Sequence, residues 1–128
     1  MIKPLTTYYQ MENYIFEVDE DTRIVLNIIS RFLKKYFNYH SDDDVIAAIN
    51  NFYSKKISGE NERDFIDLYF HHDHPFIVAG RIHFQNNTNL QQQYSDMVTW
   101  LRDIKWWKVP EEAMEECRIW RREAYGKL

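Results

Sequence analysis

Cysteine, glycine and proline are all scarce in this chain, with one, three and three copies in 128 residues. A single thiol, Cys117, cannot close an intrachain disulfide and suits a reducing compartment. Three glycines leave no glycine-rich phosphate cradle, and no Gly-x-Ser-x-Gly elbow occurs. No Pro/Gly/Ser linker, repeat or low-complexity tract divides the chain, so a single domain over residues 1–128 is expected. The apolar stretch between Asp73 and Arg81 falls far short of the roughly 20 residues that cross a bilayer. Met1-Ile2-Lys3-Pro4-Leu5 lacks the apolar core of a signal peptide. A cytoplasmic protein with no membrane partner is the expectation.

Hydrophobic residues make up 45% of the chain and aromatic ones 16%, which excludes a disordered chain. Twenty acidic residues outnumber 16 basic ones. The net charge of −4 argues against a nucleic-acid partner, which needs a basic surface. The excess is uneven: residues 1–70 hold 12 acidic and 8 basic side chains, while residues 71–128 hold 8 of each. It gathers in Glu17-Asp19-Glu20-Asp21, Asp42-Asp43-Asp44 and Glu60-Glu62-Asp64-Asp67. Such runs suit helix N-termini through the dipole, and they also steer a basic partner.

The periodicity predicts a mainly α fold of about five helices. Ile24, Ile28, Phe32 and Tyr36, with Val25, Ile29, Leu33 and Phe37 beside them, give residues 22–37 a broad apolar face. Ser41 and Asp44 resemble a capping box opening a second helix, with Val45, Ile46, Ile49, Phe52 and Tyr53 as its stripe. Ser58-Gly59 ends it, and residues 63–70 read as a third. Phe76, Val78, Gly80, Ile82 and Phe84 alternate as in a strand, while Pro75 equally suits the first position of a helix. Tyr14, Phe16 and Val18 alternate likewise, so a short two-stranded hairpin in an α+β fold stays open. A long helix is expected over residues 90–108, with Met97, Trp100, Leu101, Ile104 and Trp107 on one face and Trp106 opposite. A last helix begins near Pro110 with Ala113, Cys117, Trp120 and Ala124 inward.

Few residues point to catalysis. In His71-His72-Asp73-His74 the ligand types suit zinc or iron. His72-Asp73 resembles the paired His-Asp of metal-dependent phosphohydrolases. Neighbouring helical residues diverge by 100°, however, so four consecutive side chains cannot face one ion. The run reads as polar helix-end residues, with a small metal-dependent hydrolase as the lesser alternative. Cys117 lies on an apolar stripe and reads as an inert core thiol. Trp106 between Lys105 and Lys108 could stack on a base, which the overall acidity opposes. No enzyme activity, cofactor or metal is expected.

The stretch Asp44-Val45-Ile46 through Phe52-Tyr53-Ser54-Lys55-Lys56-Ile57-Ser58-Gly59-Glu60 to Arg63-Asp64-Phe65-Ile66 resembles the helix, Lys-Ile-Ser turn, helix pattern of small bacterial immunity proteins. These include inhibitors of colicin-type nucleases and the immunity partners of contact-dependent growth inhibition toxins. The resemblance covers about 23 of 128 residues. It implies a cognate toxin, usually a nuclease, held and blocked. Carboxylates would then cover a basic active site around aromatic anchors. Asp42, Asp43, Asp44, Glu60, Glu62 and Asp64 are the expected contacts, with Trp106 as an anchor. An interaction or regulatory module for another protein is the alternative.

Overall fold

The structure, a computed structural model, describes residues 13–59 and 61–126. Seven α-helices account for most of the described residues, and no strand occurs among them. α1 spans Glu20–Phe37, α2 Asp42–Lys56, α3 Glu62–Ile66, α4 Pro75–Gln85, α5 Thr88–Gln93, α6 Met97–Asp103 and α7 Glu111–Gly126. α3 widens into a π-helical turn over Asp67–His71.

α1 is the axis of the molecule, because its apolar residues fill more than one face. Ile24, Leu26, Ile29, Phe32 and Leu33 are all sealed from solvent. The helix starts where Asp19 accepts the Thr22 backbone N–H at 2.8 Å. It stops where Asn38 takes the left-handed conformation and donates to Leu33 O. α2 begins as the capping pattern predicts, with Ser41 Oγ accepting from Asp44 N at 3.1 Å. Lys34 on α1 reaches Asp42 on α2, while Arg63 on α3 reaches Asp19 at the start of α1. α1 and α2 therefore run antiparallel. Gly59, at φ +86°, makes the turn between α2 and α3, where a side chain would be strained.

The alternating stretch 76–84 is helical. Pro75 occupies the first turn of α4, and His74 caps it through Nδ1, which accepts from Phe76 N at 3.0 Å. Phe76, Val78, Ala79, Gly80, Ile82 and Phe84 are all buried. A helix enclosed on most sides loses the polar stripe that betrays a 3.6-residue period. Its pattern then passes for a strand, and the hairpin that the alternation left open is not seen among the described residues. The region of Tyr14, Phe16 and Val18 is irregular, with Phe16 stacked on Tyr53 and Phe70 at 4.8 and 5.5 Å.

The long helix expected over 90–108 is divided. α5 ends at Tyr94, which is extended (φ −126°, ψ 140°). Asp96 then caps a new helix by accepting from Thr99 N at 2.8 Å. α6 closes at Ile104, and Lys105, at φ +67°, reverses the chain so that the Trp106 N–H donates to Leu101 O at 2.8 Å. An aspartate cap competing with continuation of the helix decides the break. α7 returns antiparallel along α1: Ala113 and Cys117 are buried, and Trp120 lies 5.0 Å from Phe32. At its far end, Tyr125 OH donates to Asp21 at 3.2 Å.

Candidate interaction surface

The helix starts place the carboxylates. Asp and Glu favour a first turn because they complement exposed backbone N–H groups, and both α1 and α3 begin in acidic runs. The turn through Gly59 brings those two starts together. Glu62 Oε2 accepts from Glu17 N at 3.3 Å, and its Oε1 accepts from Tyr53 OH at 3.3 Å. Arg63 reaches Asp19 at 2.7 Å through one guanidinium nitrogen and Asp67 at 3.3 Å through another. Two acidic runs more than 40 residues apart in sequence thus become one end of the molecule. Glu17, Asp19, Glu20 and Asp21 stand on one side, with Glu62, Asp64 and Asp67 on the other.

Two arginines sit within this cluster, and both are engaged. Arg23 pairs with Glu20, and Arg63 with Asp19 and Asp67. The Asp19 carboxyl is lowered from 3.8 to about 2, first by the hydrogen bond from the Thr22 backbone and then by the Thr22 and Arg63 side chains. Arg63 is pushed up by its bond to Asp19 and by the charges of Asp67 and Asp19. Asp64 is held by its helix cap, accepting from Asn61 Nδ2 at 3.0 Å. Between the two helix starts lies a cleft of about 240 Å³ lined by Glu17, Val18, Asp19, Glu62, Arg63 and Ile66. Pinned by backbone and arginine, these carboxylates form a preordered anionic surface.

The expected contact residues do not form one patch. Asp42, Asp43 and Asp44 lie at the start of α2, whereas Glu62 meets Tyr53 near its end. Eleven helical steps take the chain from Asp42 to Tyr53, about 16 Å along the axis. Asp42 is paired with Lys34, and all three aspartates are exposed. Glu60 lies outside the described residues. Glu62 and Asp64 belong to the α1–α3 end. Glu17, Asp19, Glu20, Asp21 and Asp67 join them there, although they are not among the contacts expected from the sequence. Charge alone could have flagged these five, but their convergence depends on the turn at Gly59.

Trp106 is half-buried rather than splayed opposite the core. Its ring meets Tyr36, Phe37 and Phe76 edge-on at 5.6, 5.5 and 5.4 Å. The opposite-face placement presupposed a helix through residue 106, and the left-handed Lys105 swings the ring back. Trp107 is the most exposed tryptophan, at 43%, with the Arg102 guanidinium 5.8 Å from its ring.

His71, His74 and His83 hold structural bonds. Thr22 Oγ1 and His71 Nε2 are 2.9 Å apart, His74 caps α4, and Asp73 pairs with Arg81 at 2.7 Å. Among the described residues no group of three or more His, Cys, Asp or Glu converges as a metal site, and no helix is long and apolar enough to cross a membrane. The chain matches no family model, no curated protein and no solved structure.

Proposed function

We propose that this chain is an immunity protein, a non-enzymatic inhibitor that binds a cognate bacterial toxin and blocks it. The partner is a basic protein, with a nuclease as the class that fits best. A nuclease active site is built to accept phosphate charge, and an ordered array of carboxylates competes for that same electrostatic role. The observation that carries the reading is the union of the α1 and α3 starts into one acidic end fixed by Arg63 and by helix caps. Preordering matters because carboxylates already held in place lose little side-chain freedom on binding. Asp42, Asp43 and Asp44 form a second acidic site at the other end of α2. In this reading they add long-range attraction, while Glu62, Asp64 and their neighbours make the contacts. Trp106 packs on Tyr36 and Phe37 at the opposite end of α1 and takes no part in the contact surface.

The test is a tagged protein expressed in its source cell, with co-purifying proteins identified by mass spectrometry. The expected result is one stoichiometric basic partner whose toxic activity disappears when this chain is bound. Recovery of the chain alone, or of a partner that stays fully active in the complex, overturns the proposal.

A further inference from the structure

A second site adjoins the acidic end, where the turn after α3, the start of α4 and the middle of α7 meet, with His71 Nε2 2.9 Å from Thr22 Oγ1 at the start of α1. A cleft of about 470 Å³ opens there, lined by His71, His72, Asp73, His74 and Pro75 on one side and by Met114, Cys117, Arg118 and Arg121 on the other. Two nearby acids are paired, Asp73 with Arg81 and Glu115 with Arg118, while Asp21 is held by Tyr125 OH one helical turn from Arg121. Arg121 forms no ion pair among the described residues and is exposed.

The tautomer of His74 follows from its cap. Nδ1 accepts the Phe76 N–H, so the neutral ring carries its proton on Nε2 as a donor. That ring is tilted 6.2 Å from Phe32, which fixes its plane. Burial and the charge of Arg121 both hold the ring below the usual imidazole range, so an anion neutralising Arg121 would relieve part of that depression. The Phe76 N–H is already taken by His74, so the site does not draw on an open helix end. The cleft also carries apolar surface: Met114 is 53% exposed on the α7 side, and Pro75 lines the other side.

We propose that this cleft binds a small oxyanion carried on an apolar or aromatic body, a phosphate monoester being the fitting class, with Arg121 and the His74 imidazole as its polar partners and Met114 as the apolar wall. The guanidinium matches the fork geometry of a phosphate. A donor imidazole adds one hydrogen bond, and the thioether adapts to an irregular ring or chain. A metal ion does not suit the place, because His74 Nδ1 is occupied and a guanidinium repels a cation.

The test is NMR titration of the full chain with inorganic phosphate and, separately, with phenyl phosphate, following the imidazole signals of His72 and His74. The expected result is saturable movement of both signals, tighter binding of phenyl phosphate, and a His74 titration displaced to higher pH in the complex. Arg121→Gln, at an exposed position, should weaken phenyl phosphate at least about tenfold, the scale of one lost charge-assisted bond. Met114→Ser should remove the preference for phenyl phosphate over phosphate. Absence of saturation with either probe, or equal affinity in wild type and Arg121→Gln, overturns the site.

Discussion

Replacing Asp19 separates two contributions that meet at one carboxylate. Oδ1 caps α1 by accepting from Thr22 N, and Oδ2 holds Arg63. Losing a cap of this kind costs about 1 kcal/mol. The charge adds a pH-dependent share. Its pKa falls from 3.8 to about 2 on folding, nominally about 2.4 kcal/mol at 1.36 kcal/mol per unit. The side chain is 49% exposed, and solvent screening reduces that share to about 1 kcal/mol. Because the folded-state pKa is the depressed one, this stability is fully present above pH 4. It is lost as pH falls through the folded value near 2. Asp19→Asn keeps a good cap and removes the charge, so it should cost about 1 kcal/mol at pH 7 and almost nothing at pH 2. Asp19→Ala removes both, costing about 2 kcal/mol at pH 7, a Tm loss of roughly 6–8 °C. The assay is urea unfolding of the three proteins at pH 7, 4, 3 and 2. Equal losses for Asn and Ala, or a cost of Asp19→Asn that does not shrink with pH, would refute the assignment.

Three further outcomes are expected. Phe32 is sealed from solvent between Phe76 and Trp120, so Phe32→Ala should cost about 3–5 kcal/mol in chemical denaturation. Burial depresses both His74 and His83, with Arg121 adding to the effect at His74. The unfolded chain therefore takes up protons below about pH 6.5 that the folded rings resist, and stability should drop between pH 7 and 5. Denaturation midpoints of a His74→Gln, His83→Gln variant should show a flatter slope there. Lys105 sits at φ +67°, so Lys105→Val should lose about 1 kcal/mol while Lys105→Gly loses none, read from thermal melts.

Much of the helical architecture was legible where amphipathicity and capping agreed. Residues 22–37 carry both signals, as does the start of α2 at Ser41. α4 was not legible, because enclosure on nearly all sides erased the stripe that would have separated it from a strand. The break before α6 was written in Asp96 and Thr99, a capping pair hidden inside an otherwise continuous apolar repeat. The acidic runs were visible as charge, but their merger rests on the Asp19–Arg63 contact across 44 residues, which no local pattern encodes. The place of Trp106 depended on one left-handed lysine. A β-branched residue there would have been a stronger warning against reversal than a lysine is for it.

The most direct measurement is the association rate of this chain with its captured basic partner, by stopped flow at about 50 and about 300 mM salt, for wild type and two charge-reversed variants. One variant carries Asp21→Lys and Asp64→Lys, the other Asp43→Lys and Asp44→Lys. The wild-type rate should fall at least about tenfold between these salt concentrations. The first variant should lose both rate and complex lifetime, and the second rate alone. Salt-independent association, or a first variant that binds like the wild type, would contradict the proposal.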